Sequence, residues 1–545
     1  MAILLLAIAL AQIQGRASAQ ASQSLQITAV EFAYPQPDMR YYHLRVSLFA
    51  AQNVALSKAV VNGEESNIIS LLGAHGQPRV PNMAAATKAV LEVAVAWVGD
   101  AIYSLKLVGS DDKGQAVESA WSGKAPPGGY WNPAWHHFKP VLVEEDWGVE
   151  RVGEPVEVTV GFPASEIDDP QAEVRVVEVS PTGQHKEVPS QVYDIKSSPA
   201  SSQFSPPSLS CTIAFLAAVP ANGKKVYLIF HGNKDATPPD YPSDFKVSGD
   251  EPGLTVENDW YRMALSPQHG QFLALSPKAM PGTRWTFHHP RSAIHWNPDV
   301  FPVDRNWSHV IEWQGPPHLT EVRGPILIRT KRFGPLPWTP EVSASVTYRF
   351  YAHNPWILVD SLLDFQQDLS VLAVRTGEIV FDQGTFSRGA WRGRDGKVGT
   401  VRMLGEMDMP EARVKGIRKV LEGDVPWVCM FNPGEPWGVG GINISNFNGC
   451  FGEGAVAAES SAIYLCNTGS TFIYWGRSTI YPYLSPISHA AVVVPKGSIF
   501  AERAACLPFR LGDSEEGRFA QLDALHYQLT HPLRVDPIGW PPVGF

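Results

Sequence analysis

A dense group of reactive side chains lies between Phe287 and Trp313, in the stretch FHHPRSAIHWNPDVFPVDRNWSHVIEW. It holds four histidines, two arginines, two aspartates and three tryptophans. Its Asn-Pro and Asp-Arg-Asn turn formers predict a loop, and loops on a rigid sheet are where binding groups concentrate. Tryptophan rings offer flat faces to sugars, while amide and guanidinium groups bind hydroxyls and carboxylates. The candidate sugar contacts are Trp296, Asn297 and Arg305.

Two other interpretations of this loop remain open. His288, His289 and His295 could share a divalent metal ion, although their spacing matches neither HExxH nor a close His-x-His pair. The tryptophans could instead form an aromatic plug that packs over the end of a sheet. The loop is therefore a candidate sugar site, metal site or packing element.

The segment VSASVTYRFYAH alternates between apolar and polar side chains, which predicts a strand with one buried face. The preceding segment, EVRGPILIRTKRF, sends its basic residues to one side in the same way. If the two strands pair, their polar faces form one cationic and aromatic floor, made of Arg329, Lys331, Arg349, Tyr351 and His353. The alternative is the ordinary solvated face of an antiparallel sheet.

Arg375, Glu378 and Asp382 lie in the predicted strand AVRTGEIVFD. Residues four apart on a strand share a face at a separation of about 13 Å, which exceeds the spacing of glycosidase carboxylate pairs. Glu378 and Asp382 alone are therefore a poor hydrolase pair. Arg375 and Glu378 are candidate substrate-binding residues, and an ordinary ion pair with Arg375 is the alternative.

Composition excludes several classes of protein. The chain has 545 residues and a net charge of −10, so it lacks the broad basic surface that nucleic acid requires. Its five cysteines are odd in number and show no CxxC spacing. A disulfide framework is not implied, although Cys429, Cys450 and Cys466 could pair in an oxidising compartment.

The first residues have the pattern of a secretory signal. An apolar run from Ile3 to Leu10 leads into the small-residue triplet Ala17-Ser18-Ala19, which predicts a signal peptide over residues 1–19. No later apolar run approaches the roughly 20 residues of a membrane span. We expect a secreted or periplasmic protein without a membrane span.

Short β-branched and aromatic runs between Gly- and Pro-rich turns predict an all-β protein. Residues 25–124 predict an immunoglobulin-like or fibronectin-like β-sandwich, and residues 141–233 predict a second β-sandwich. Pro-rich linkers follow each of them. Residues 249–545 predict a large antiparallel β-supersandwich that would carry the catalytic site.

A resemblance to a known family appears at the start of the last block. The segment LTVENDWYRMALSPQHGQFLALSPK contains Asn258, Tyr261, Arg262 and Gly270, and VSASVTYRFYAHNPWILVDSLLDF follows. These residues resemble the entry into the galactose-mutarotase-like β-supersandwich of polysaccharide lyases and some glycoside hydrolases. The resemblance covers the C-terminal half of the chain at the level of the fold. No helical toroid precedes it, in contrast to the lyases that combine both parts.

These features together predict a secreted polysaccharide lyase that cleaves a uronic-acid-containing polysaccharide by β-elimination. The reaction needs a base, an acid and a group that neutralises the substrate carboxylate. His295 or His353 is the expected base. Tyr351 is the expected acid, and Arg349 with Arg329 would clamp the carboxylate.

Two alternatives belong to other classes of protein. The first is a glycoside hydrolase that uses Glu378 with Asp299, Asp304 or Asp382. The second is a non-catalytic carbohydrate-binding protein. None of these functions requires a cofactor, and a divalent metal remains open. The expected partner is an acidic polysaccharide or oligosaccharide, and nucleic acid is not expected.

Overall fold

The computed structural model describes residues 24–537 except 39, 67, 71–81, 96–100, 126–129, 181, 201–205, 288–292, 296–297, 406–415, 451–460, 469–470 and 481–490. The predicted signal peptide and the candidates His288, His289, Trp296 and Asn297 lie outside the described residues. The described chain is all-β, as predicted, with two α-helices. No described helix has the length and apolarity needed to cross a membrane.

The N-terminal half of the described chain forms short antiparallel strands and one helix, α1 (Pro170–Glu173). Its strands are β1 (Leu25–Ala33), β2 (His43–Ala50), β3 (Val54–Val61), β4 (Glu64–Ser66), β5 (Ile68–Ser70), β6 (Asn82–Met83), β7 (Thr87–Ala94), β8 (Ile102–Asp111), β9 (Ala116–Lys124), β10 (His137–Glu144), β11 (Arg151–Pro163), β12 (Arg175–Val179), β13 (His185–Val188), β14 (Ser190–Ser198), β15 (Ser208–Val219) and β16 (Lys224–His231).

The C-terminal half adds longer strands, a 3-10 turn (Val310–Glu312) and α2 (Ala520–Thr530). Its strands are β17 (Lys246–Ser248), β18 (Thr255–Glu257), β19 (Tyr261–Leu265), β20 (Phe272–Pro277), β21 (Trp285–Thr286), β22 (Asp299–Pro302), β23 (Ser308–His309), β24 (His318–Val322), β25 (Leu327–Leu336), β26 (Thr339–Tyr351), β27 (Ile357–Phe365), β28 (Leu369–Asp382), β29 (Arg388–Arg392), β30 (Val398–Arg402), β31 (Ile417–Glu422), β32 (Trp427–Phe431), β33 (Trp437–Gly449), β34 (Ala462–Asn467), β35 (Phe472–Ile480), β36 (Val492–Val494), β37 (Ile499–Arg510) and β38 (Arg534–Asp536).

The contacts divide the chain into two compact units. The first contains the described residues of Met1–Asp240 and Leu533–Phe545, and the second is Tyr241–Pro532. The first unit has four sheets, ordered β1-β2-β7-β5, β4-β3-β8-β9 with β6 beside β3, β13-β12-β16-β10-β38, and β11-β15-β14.

The strand β16 shows how the first unit is packed. Its sequence, KKVYLIFH, is an almost continuous apolar run, which indicates a strand covered on both faces. Val226, Leu228 and Phe230 pack into the core that they share with β2, β3 and β8. Tyr227 and Ile229 point the other way, into the core lined by β11 and β15. The segments 25–124 and 141–233 therefore share a hydrophobic core.

The second unit is a sandwich of large antiparallel sheets. The sheets are β17-β18-β19-β20-β21, then β23-β22-β28-β35-β34-β31 with β36 beside β28, and β24-β25-β26-β27-β37-β33-β32-β29-β30. Their inner faces enclose one hydrophobic core. The helix α2 packs against β33 on the nine-stranded sheet.

The predicted alternation is found in β26, and the structure pairs β26 with β25. Val342, Val346 and Phe350 are buried in the core. The two strands are antiparallel neighbours, and their register sets Arg329 directly opposite Arg349. Successive side chains of a strand point to opposite faces of the sheet. Because the valines face the core, these two arginines lie on the outer face of the nine-stranded sheet.

Candidate functional site

A β-bulge in β28 brings Arg375 and Glu378 onto the same face. The register between β28 and β35 shifts between Arg375 and Gly377, so residues three apart can share a face. Arg375 Nη1 donates to Glu378 Oε1 at 2.6 Å. Asp299, directly opposite Arg375 on β22, accepts from Nε at 2.9 Å and also from Nη2. The two carboxylates therefore bind one guanidinium group.

This ion cluster is enclosed: Asp299 is 0% exposed and Arg375 is 6% exposed. Burial alone would raise the pKa of Asp299, but Arg375 and His309 outweigh it and hold that pKa below its usual value. Burial would lower the pKa of Arg375, but Asp299 and Glu378 raise it. The Trp307 ring also lies 4.0 Å from the guanidinium carbon. Asp299 and Arg375 are thus held in their charged forms.

A cavity between the sheets adjoins the ion cluster. It is small, and Glu378, His295, Arg477 and Glu502 contribute to its walls. Arg477 Nε donates to Glu502 Oε1 at 3.0 Å, and Thr376 Oγ1 donates to Glu502 Oε2 at 2.9 Å. The charged walls of this cavity are therefore bonded to protein partners.

His295 is sealed inside the same sandwich. It is 1% exposed and its Nδ1 lies 2.7 Å from the hydroxyl oxygen of Tyr348. Tyr348 donates its own proton to Gln271, so Nδ1–H of His295 must be the donor in the first bond. Burial, and then Arg332, lower the pKa of His295 to about 3. The imidazole is therefore neutral at neutral pH.

The outer face of the nine-stranded sheet holds the predicted basic residues. Arg349 forms an ion pair with Asp360, which also accepts from Arg503 Nε at 2.6 Å. The ammonium group of Lys331 lies 5.2 Å from the Phe333 ring. Arg349, which was predicted to bind the substrate carboxylate, is therefore already paired with the carboxylate of Asp360.

His353 occupies an exposed turn after β26. Its side chain is 54% exposed, and its Nδ1 lies 3.5 Å from Asp244 Oδ2 and 3.3 Å from Asp259 Oδ2. Its φ of 59° is in the left-handed region. The imidazole of this turn therefore lies beside two carboxylates from other segments of the chain.

The four expected catalytic residues do not surround one substrate. His295 lines the internal cavity, and Arg349, Tyr351 and His353 do not. Tyr351 is 4% exposed, whereas the His353 side chain faces solvent. Burial separates their environments even though Arg349, Tyr351 and His353 lie close together in the sequence.

Two of the three tryptophans between Phe287 and Trp313 serve packing. Trp307 stacks on Phe301 with ring centres 4.8 Å apart and planes inclined by 14°. Trp313 is 4% exposed and its Nε1 donates to the Pro335 carbonyl at 2.9 Å. The aromatic-plug interpretation holds for these two rings.

Arg305 contacts an exposed tryptophan that the sequence pattern did not single out. Trp338, in the turn between β25 and β26, is 73% exposed and has a φ of 64°. Arg305 Nη1 donates to the Trp338 carbonyl and to Glu341 Oε1, each at 3.1 Å. Arg305 Nε donates to Asp304 Oδ1 at 3.0 Å. The signal was the Pro-Trp pair in LPWT, where a hairpin turn points its side chains to solvent.

Comparisons with known proteins show similarity in fold. No protein-family model and no curated protein sequence matches the chain. An α-mannosidase structure from Enterococcus faecalis matches with a TM-score of 0.45 and 12% identity, over 73% of this chain and 46% of that one. A glycosyl hydrolase family 38 protein from the same species gives 0.42 and 10%, over 73% and 47%. This chain thus spans about half the length of each. A galactose mutarotase-like protein from Lactobacillus casei gives 0.28 and 8%, over 47% and 100%.

The prediction of a polysaccharide lyase is wrong. The two structures that match over 73% of this chain are named as an α-mannosidase and as a glycosyl hydrolase family 38 protein, and no polysaccharide lyase family is shown. The physical reason lies in the predicted machinery. His295 is enclosed within the sandwich, Arg349 is paired with Asp360, and neither meets His353 at a common cavity.

Proposed function

We propose that this protein is a carbohydrate-active protein that binds neutral, hydroxyl-rich glycans on the surface around Trp338. The observation that carries the proposal is a solvent-facing indole, 73% exposed, beside carboxylate oxygens anchored by one arginine. A flat aromatic face packs against the C–H surface of a pyranose, and neighbouring oxygens accept bonds from its hydroxyls.

The backbone holds this surface in place. A non-glycine residue in the left-handed region costs about 1 kcal/mol, and Trp338 adopts that conformation at φ 64°. Arg305 fixes the turn through the Trp338 carbonyl. The indole is therefore presented by a conformation that the surrounding bonds maintain.

The charge of this surface favours a neutral glycan over an acidic one. Asp304 and Glu341 supply two carboxylates, whereas Arg305 supplies one positive charge. The excess negative charge repels a uronate and suits sugar hydroxyls, which donate hydrogen bonds.

Affinity electrophoresis and calorimetry on neutral glycans, with polygalacturonate as the acidic comparison, test the proposal. We expect retention by at least one neutral glycan and a loss of about fivefold in affinity in Trp338→Ala, since one stacked ring contributes about 1 kcal/mol. Trp147→Ala is the matched control, because Trp147 is 48% exposed and belongs to the other unit. Retention by polygalacturonate alone, or equal losses in both variants, would contradict it.

A second candidate function is glycoside hydrolysis by Glu378 and Asp299. Both carboxylates accept from the guanidinium of Arg375, so they lie nearer to each other than Glu378 and Asp382 would on a regular strand. Among the three partners considered for Glu378, this contact favours Asp299 over Asp304 and Asp382. Hydrolysis requires Arg375 to release one carboxylate when substrate enters.

Reducing-end release from p-nitrophenyl glycosides and oligosaccharides tests this second function. Glu378→Gln preserves the shape of the side chain and its bond to Arg375, so we expect activity to fall by at least a hundredfold with the fold retained. Asp382→Asn is the matched control and should keep its activity. Unchanged turnover in Glu378→Gln removes Glu378 from the chemistry.

A further inference from the structure

Three side chains from separate segments of the second unit converge on one small volume. Asp244 precedes β17, Asp259 lies in the turn between β18 and β19, and His353 follows β26. One donor atom from each lies within 4.8 Å of the other two. The geometry points to a binding site for a divalent transition-metal ion, distinct from the sugar surface at Trp338.

The spacing of the donor atoms fits such an ion. His353 Nδ1 is 3.3 Å from Asp259 Oδ2 and 3.5 Å from Asp244 Oδ2. Two ligands that bind a tetrahedral metal at about 2.0–2.1 Å lie roughly 3.3–3.4 Å apart. The side chains are therefore already close to the positions that coordination requires.

Backbone hydrogen bonds hold these ligands in place. Asp244 accepts from the backbone N–H of His353 at 3.0 Å and from that of Asp259 at 3.1 Å. Trp260 Nε1 donates to the His353 carbonyl at 3.1 Å, and Asn258 Nδ2 donates to the Asn354 carbonyl at 2.9 Å. Outer contacts of this kind orient metal ligands before the ion arrives.

The donor set selects the class of metal. One imidazole and two carboxylates suit zinc or manganese, whereas calcium and magnesium prefer oxygen ligands throughout. Two carboxylates and a neutral imidazole also balance a charge of +2. The side chains of Asp259 and His353 are 70% and 54% exposed, so an ion and its remaining water ligands can enter without unfolding the sandwich.

The competing explanation is an ordinary ion pair in which a protonated imidazole bridges the two carboxylates. That arrangement needs no ion and binds none. Isothermal titration of the chelator-treated full chain with zinc chloride separates the two explanations. We expect uptake of one zinc ion per chain and a rise in the melting temperature, because the ion binds the folded state.

Variants assign the zinc to this cluster. Asp259→Asn and His353→Asn should each weaken zinc binding at least tenfold, and asparagine tolerates the left-handed backbone at position 353. His318→Ala is the matched control, because His318 is an exposed histidine on β24 and should leave affinity unchanged. Cobalt substitution adds a visible absorption band that must disappear in His353→Asn.

Three results would overturn the inference. The full chain takes up no zinc, or His353→Asn binds zinc as tightly as the unaltered protein, or calcium displaces zinc at equal concentration. None of these results depends on glycan binding at Trp338, so this proposal and the proposed function fail independently.

Discussion

Arg375 and Asp299 stand opposite each other on β28 and β22 and form a two-point ion pair inside the second unit. Glu378 accepts from Nη1 of the same guanidinium. Fully desolvated charges are tolerated when each meets a partner of opposite sign, so this cluster depends on every member being present.

Arg375→Met should be strongly destabilising. It leaves Asp299 and Glu378 buried without their cation, and breaking a buried pair in this way costs about 3–5 kcal/mol. Urea unfolding followed by tryptophan fluorescence measures the change. Arg394→Met is the control, because its pair with Asp424 is exposed to solvent, and its unfolding midpoint should match that of the unaltered protein.

His295 predicts a pH dependence of stability. Its folded pKa of about 3 lies below the unfolded value of 6.5, so between these values the unfolded chain binds a proton that the folded chain rejects. Stability should therefore fall as pH drops from about 6.5 towards 3, with a slope of up to about 1.4 kcal/mol per pH unit from this residue. His295→Gln should flatten that slope in urea unfolding measured across the range. An unchanged slope would show that His295 does not contribute.

Gly377→Ala should disturb the wall of the internal cavity. A Cβ at this position would collide with the carboxylate of Glu502, which Thr376 and Arg477 hold in place. Moving a pinned, buried carboxylate costs about 1–3 kcal/mol. Gly434→Ala is the matched control, since nothing lies within 4 Å of its added Cβ. Equal thermal midpoints for the two variants would argue against the packing described for Glu502.

Trp338→Gly should lower glycan affinity without lowering the stability of the protein. Glycine adopts the φ of 64° without steric cost, so the free energy of unfolding should stay constant or rise by up to about 1 kcal/mol. Glycan affinity should fall as in Trp338→Ala. Calorimetric melting and affinity electrophoresis on the same preparation give both values. A variant that binds glycan normally would exclude the indole from the sugar surface.

The cysteines illustrate what composition predicts and what only the structure shows. Their odd number and irregular spacing implied no disulfide framework, and all five are free thiols. Pairing among Cys429, Cys450 and Cys466 stayed open, because sequence spacing does not report the distance between sulfur atoms.

Strand alternation by itself determined the all-β class and the buried face of β26, whereas the pairing of β25 with β26 came from the structure. The class and the buried face follow from a period of two residues and from turn chemistry, both of which are local in the sequence.

Only the tertiary structure decided which polar groups meet. A shifted register in β28 brought Arg375 and Glu378 onto one face, and pairing with β22 brought Asp299 to the same guanidinium. Burial made His295 neutral, and chain segments far apart in sequence brought Asp244 to His353. Register and desolvation are properties of the assembled sheets, so the pattern within one strand does not report them.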